Sequence, residues 1–223
     1  MPKKQIIAIG GGFRSPFTME KYILSQVEKP NPKVSFLPQA SAESKEYIVR
    51  FYDAFQSLGA QPSAVSLFGR VSPDWKERLL TSDVIFVGGG NTRSMLALWR
   101  EWGVDHVLKE AYEKGIVLAG VSAGAICWFE QGITDSVWPL GVLECLGFLP
   151  GSSCPHYDTE PERRPTFLKL MQERAVKPGI ALHDDVAAHY VDGTLHCVVS
   201  AKEGKKAYQI SPSGEEEIEV INL

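Results

Sequence analysis

Short apolar runs alternate along this chain with segments whose apolar positions recur at helical spacing. The runs at 6–9, 33–37, 64–68 and 83–87, and the stretch opening at Ile116, are rich in β-branched residues and predict buried strands. Between them, 22–28, 42–58, 74–80, 93–102 and 104–114 read as helices. The 42–58 segment carries Tyr47, Ile48, Phe51, Tyr52, Phe55 and Leu58 on one face. Ser41 is its expected cap, with Ser44 the lesser choice, and Gly59 stops it. Strand–helix alternation with short loops predicts a doubly wound, mostly parallel sheet with helices on both faces. Ligands in such sheets bind outside the carboxyl ends of the strands.

The second half is patterned more weakly. Residues 123–131 have helical composition, 140–148 read as a loop or short strand, and 166–175 as a helix. A strand pair, 180–183 and 187–191, is expected around Asp184 and Asp185. Residues 194–200 and 207–210 read as a C-terminal β-hairpin, followed by a solvated acidic edge, Glu215-Glu216-Glu217, and a last strand. With no repeat, linker or low-complexity segment, one domain over 1–223 is expected.

Composition narrows the functional classes. Apolar residues are 44% of the 223, enough for a sizeable core, and the net charge of −4 argues against a general nucleic-acid binder. No apolar run reaches the ~18 residues of a membrane helix, so no membrane partner is expected. Met1-Pro2-Lys3-Lys4-Gln5 leads straight into the first strand without a signal-peptide core, which predicts a cytoplasmic address. Cys127, Cys145, Cys154 and Cys197 form no C-x-x-C pair and no zinc spacing. They read as small buried hydrophobes, Cys154 alone being set apart by its closeness to His156. No metal and no cofactor are expected.

The strand opening at Ile116 ends in Gly120-Val121-Ser122-Ala123-Gly124, which fits the G-x-S-x-G nucleophile elbow. A sharp strand-to-helix turn lifts the Ser122 hydroxyl off the sheet, and the Ala123 amide opens the helix where N–H groups can hold an oxyanion. A Gly-Ser turn that merely joins two elements has the same letters. A second glycine run, Gly10-Gly11-Gly12, lacks the third glycine and the downstream acid of a dinucleotide loop, and a tight turn is the better reading. Ser122 needs a base. His156, in a polar loop after the elbow, is preferred to His183, and His106, His189 and His196 read as structural. Asp135, Asp158 and the pair Asp184-Asp185 compete to orient that base.

Gly88-Gly89-Gly90-Asn91-Thr92, Gly120-Val121-Ser122-Ala123-Gly124-Ala125, Thr134-Asp135 and Pro155-His156-Tyr157 together resemble the peptidase E (α-aspartyl dipeptidase) family, which is related to cyanophycinase. The resemblance runs from the first strand to about Tyr208. It implies a three-layer flavodoxin-like fold, similar to class I glutamine amidotransferases, and a serine peptidase acting on small peptides, as monomer or homodimer. Ser122 falls on the family's nucleophile, His156 on its base and Asp135 near its traditional acid, with Asp185 nearest to a later acid also proposed there. By the same likeness Gly89 or Gly90 joins Ala123 in the oxyanion hole, a donor being worth about 3 kcal/mol in the transition state. Asn91, Thr92 and Arg163 are expected at the substrate. The family's E-T-R-E-x-R-like segment is shorter and shifted here, Glu160-Pro161-Glu162-Arg163-Arg164-Pro165, so Arg163 and Arg164 are the cations on which an aspartyl preference rests. The alternatives are amidase or esterase chemistry on small acylated substrates, or a non-catalytic binding relative.

Overall fold

The computed structural model describes residues 2–223. The first half builds the expected alternation: β1 (Gln5–Ile9), α1 (Thr18–Leu24), β2 (Lys33–Leu37), α2 (Lys45–Ser57), β3 (Gln61–Ala64), α3 (Trp75–Leu80), β4 (Val84–Val87), α4 (Thr92–Trp102), α5 (Val104–Glu113) and β5 (Val117–Val121). The strands β1, β5, β4, β2 and β3 lie side by side in that order, all parallel. Both faces are covered, which is why β4, β5 and, from Ile6 on, β1 are apolar instead of alternating. One face packs Phe36 and Phe86 against Phe51 and Phe55 of α2 and Ile23 of α1. Phe36 and Phe51 stack with ring centres 4.4 Å apart. The other face packs Ile6, Ile85 and Leu118 against α3, α4 and α5.

The second half differs from its pattern. After a single turn, α6 (Ala123–Ile126), the chain becomes strand β6 (Phe129–Thr134), followed by β7 (Gly141–Glu144), β8 (Leu149–Cys154), α7 (Arg163–Gln172) and β9 (Gly179–Leu182). Strands β10 (Val186–Val191) and β11 (Thr194–Ser200) return to the first sheet. Strands β12 (Ala207–Ser211) and β13 (Gly214–Ile218) do not, and β14 (Ile221–Asn222) closes the first sheet's edge. There are thus two sheets among the described residues, of eight strands and of six, the smaller ordered β13-β12-β9-β8-β6-β7. The expected pair 180–183/187–191 and hairpin 194–200/207–210 are each split between the sheets; the hairpins formed are β10–β11 and β12–β13. Phe129, Leu149, Ile180 and Ala207 of the smaller sheet join Ile6 and Leu118 in one continuous core.

Boundaries shift for local reasons. Ser41 is drawn into a short 3-10 turn, so Ser44 caps α2, accepting from the Tyr47 amide at 3.3 Å. Helix α1 starts four residues early, behind Phe17 in a left-handed conformation.

Candidate active site

Strand order brings three glycine-rich turns together. β5 lies between β1 and β4, so Gly120–Gly124, Gly10–Gly12 and Gly88–Gly90 meet at one end of the sheet. The elbow is sterically tight. A Cβ on Gly120 would sit 2.3 Å from the Gly124 carbonyl oxygen, and one on Gly124 2.2 Å from that of Val87. Ser122 between them has φ 57° and ψ −112°, a strained pair for a residue with a side chain and one that costs about 1–3 kcal/mol. Its amide donates to Ile9 at 2.9 Å and its carbonyl accepts from Ala125 and Ile126.

His156 stands just after β8 of the smaller sheet, with its amide on the Gly10 carbonyl at 3.2 Å. That bond ties the smaller sheet to the first turn of the larger one. Its Nε2 is 2.8 Å from Ser122 Oγ and its Nδ1 2.7 Å from Asp184 Oδ1. Asp184 lies in the passage from β9 to β10, where the chain changes sheets. Hydrogen bonding to His156 holds its carboxyl below the ordinary carboxylate range, burial opposing. The Asp184 amide donates to Asp158 Oδ1 at 2.8 Å, and Asp158 pairs in turn with Lys205.

Of the competing acids it is Asp184 that meets His156; Asp135 and Asp185, the two that the family likeness favours, do not. Asp135 is 72% exposed, 3.6 Å from the Arg163 guanidinium. Asp185 follows Asp184 with φ 66°, which turns its carboxylate the other way, onto Arg14 at 2.8 Å and Lys202 at 3.4 Å. His183 faces Asp158 and accepts from the Lys206 amide.

The Gly10–Gly12 turn has a role the pattern did not reveal. A Cβ on Gly11 would lie 1.9 Å from Asp184 Oδ1 and 2.6 Å from His156 Nδ1. The missing side chain is the space in which imidazole and carboxylate meet. A run of glycines at the end of β1 was the only signal, and it does not say what fills the gap.

Gly89 packs beside the nucleophile, its notional Cβ 3.4 Å from that of Ser122, but its N–H donates to the Tyr47 hydroxyl at 3.1 Å. The amides of Gly90 and Ala123 have no acceptor among the described residues. Asn91 is the cap of α4, accepting from the Ser94 amide at 2.8 Å, and Thr92 is buried. Both shape the loop, Asn91 from an exposed position and Thr92 from within. Arg163 is 3% exposed, with Nε on Glu160 at 2.7 Å and Nη1 on the Ile133 carbonyl at 2.7 Å. Arg164 pairs with Glu215 and lies over Tyr157 and Tyr208. Both arginines are engaged within the fold, which corrects the expectation that Arg163 is open to substrate. Cys154 is also settled: burial pushes its thiol up to about 12, so it is packing and not a thiolate.

The profile of Peptidase family S51 matches residues 5–198. The uncharacterized peptidase YgaJ of Bacillus subtilis (strain 168) is 48% identical over 221 residues, 97% of this chain and 96% of its own length. Peptidase E of Streptomyces coelicolor is 30% identical over 133 residues, 58% of this chain and 53% of its own. A probable alpha-aspartyl dipeptidase of Drosophila melanogaster is 29% identical over 154 residues, 67% of this chain and 62% of its own. The crystal structure of a peptidase from an acI-B1 Actinobacterium shares the fold, with TM-score 0.74 at 17% identity over 97% of this chain and 94% of that one. A family profile that spans most of the sequence, with a relative nearly half identical from end to end, makes this protein a peptidase of family S51, the peptidase E family.

Proposed function

We propose that the protein is a serine-type dipeptidase working through an acyl-enzyme, with Ser122 as nucleophile, His156 as base and Asp184 as the acid that orients the base. The observation that carries this reading is the unbroken relay of Ser122 Oγ, His156 and Asp184 at 2.8 and 2.7 Å. His156 Nε2 takes the Ser122 proton as Oγ attacks the scissile carbonyl carbon. The oxyanion that forms is held by the open amides of Gly90 and Ala123. Collapse of the tetrahedral intermediate breaks the C–N bond, and His156 gives its proton to the departing amine. Water then attacks the acyl-serine with His156 as base again, releasing the acid and restoring Ser122. Asp184 keeps Nδ1 protonated and stabilises the imidazolium.

The substrates are free dipeptides, with an N-terminal aspartyl residue the first side chain to test, as the family likeness suggests. Arg163 and Arg164 being engaged, Arg93 on the first turn of α4, three residues after Gly90, is an exposed cation that forms no ion pair among the described residues. Ser122→Ala and His156→Ala are each expected to lower kcat on Asp-X dipeptides by about 10⁴-fold or more, with circular dichroism and Tm retained. Turnover close to wild type in either variant refutes the assignment.

A further inference from the structure

Asp184 has little backbone support of its own. It lies between β9 and β10, outside any ladder. Among the described residues its backbone makes a single hydrogen bond, from its amide to Asp158 Oδ1 at 2.8 Å. Asp158 belongs to the turn of the base. It stands two residues after His156, whose carbonyl accepts the amides of Thr159 and Glu160 at 3.2 and 3.0 Å. That one bond therefore couples the turn carrying the imidazole to the turn carrying the carboxylate, 28 residues further along the chain.

A third segment closes the arrangement. The charged turn from Lys202 to Lys206 leads from β11 in the larger sheet to β12 in the smaller one. Its Lys205 ammonium pairs with Asp158 Oδ2, and its Lys202 with Asp185 Oδ2 at 3.4 Å. Its Lys206 donates its amide to His183 Nδ1 and accepts the His183 amide on its carbonyl. The residues on both sides of Asp184 are thus tied to this turn, and so is Asp158. Asp158 exposes 18% of its side chain and Lys205 23%, so the pair is shielded from the solvent that weakens surface ion pairs. Burial pushes the Asp158 carboxyl up, but the hydrogen bonds from Lys205 and the Asp184 amide outweigh this and hold it below its ordinary value. A charged acceptor of this kind binds an amide roughly twice as strongly as a neutral one. The backbone around the relay is left-handed at two residues that carry side chains, His156 at φ 53° and Asp185 at φ 66°. Such conformations persist only where their surroundings over-determine them.

We propose that Asp158 is the positioning residue of the relay: fixed by Lys205, it holds the Asp184 amide and so sets the Asp184 carboxylate at His156 Nδ1. It touches no reacting atom and acts through Asp184 alone. The inference rests on the reading of Asp184 as the orienting acid, and it gives a task to the lysine turn that the relay itself leaves unused.

The test is steady-state kinetics on one Asp-X dipeptide. Asp158→Ala is expected to lower kcat by about 30-fold with KM within about twofold, the order of loss when a catalytic group is misplaced. Asp158→Asn keeps an acceptor oxygen and is expected to hold kcat within about fivefold of wild type. Lys205→Met, which frees Asp158 without removing it, is expected to cost about tenfold. In an Asp184→Asn background, Asp158→Ala is expected to cost less than about twofold more, since the group it positions is already lost. A kcat for Asp158→Ala within about threefold of wild type overturns the proposal, as does an Asn variant no better than Ala, or the full loss repeated on top of Asp184→Asn. Circular dichroism and Tm accompany each variant. Where Asp158→Ala fails to fold, wild-type kcat in Lys205→Met overturns the proposal instead. Asp184→Asn alone and fluorophosphonate labelling of Ser122 report on the underlying reading. An unlabelled wild type, or undiminished kcat in Asp184→Asn, removes the relay and the positioning role together. Loss of kcat in Asp184→Asn with none in Asp158→Ala removes the positioning role and leaves the relay standing.

Discussion

At the scale of single residues, two neighbours with the same side chain have opposite surroundings. Asp184 reaches His156, and Asp185 reaches Arg14 and Lys202. Asp184→Asn is accordingly predicted to lower kcat by about 10⁴-fold, as loss of an orienting carboxylate does, while Asp135→Asn leaves kcat within about threefold; steady-state kinetics on one Asp-X dipeptide decides between the two acids. Glu20 makes a prediction of a different kind. Burial pushes its folded carboxyl up to about 7 from an ordinary 4.5. The folded state therefore holds the proton more tightly than the unfolded chain, so stability falls as pH rises from 4.5 towards 7 and is level above. Glu20→Gln removes that penalty. It is predicted to stabilise the protein by on the order of 2–3 kcal/mol at pH 8 and hardly at all at pH 4. Urea unfolding at the two pH values measures it, and equal stabilisation at both contradicts it.

At the scale of elements, the G-x-S-x-G turn is dictated by two contacts. The backbones of β4 and of the turn itself pass where Cβ atoms of Gly120 and Gly124 would stand. Gly124→Ala is predicted to destabilise by about 1–3 kcal/mol, the usual cost of overpacking, and to displace Ser122 from His156. Thermal melts together with fluorophosphonate labelling read both effects; wild-type values in both would show that the turn can relax. Helices were legible where the pattern was long. The aromatic face of α2 survives intact, with Phe51 and Phe55 fully buried. The segment after α6 was not legible, because an apolar run such as 125–129 suits a buried helix and a buried strand equally. Pairing with β7 and β8 decides in favour of strand β6.

At the scale of the whole molecule, the base and its acid come from the places where the chain meets or changes sheets. The shared core joining Ile6 and Leu118 to Phe129 and Ile180 predicts that the two sheets unfold together. Tryptophan fluorescence, sampling the Trp99 and Trp128 side, and far-ultraviolet circular dichroism are expected to give coincident urea transitions; two separated transitions would divide the chain into independent units. By itself the sequence determined the strand–helix alternation of the first half, the three glycine turns and the serine elbow. All of these are written in spacings of a few residues, where periodicity and backbone sterics act. Only the tertiary structure decided which strands share a sheet, that Asp184 rather than Asp135 or Asp185 faces His156, that the amide of Gly89 is taken by Tyr47, and that Arg163 is locked inside. Those outcomes depend on packing between residues tens of positions apart, and on a single φ of 66° that sends adjacent aspartates in opposite directions.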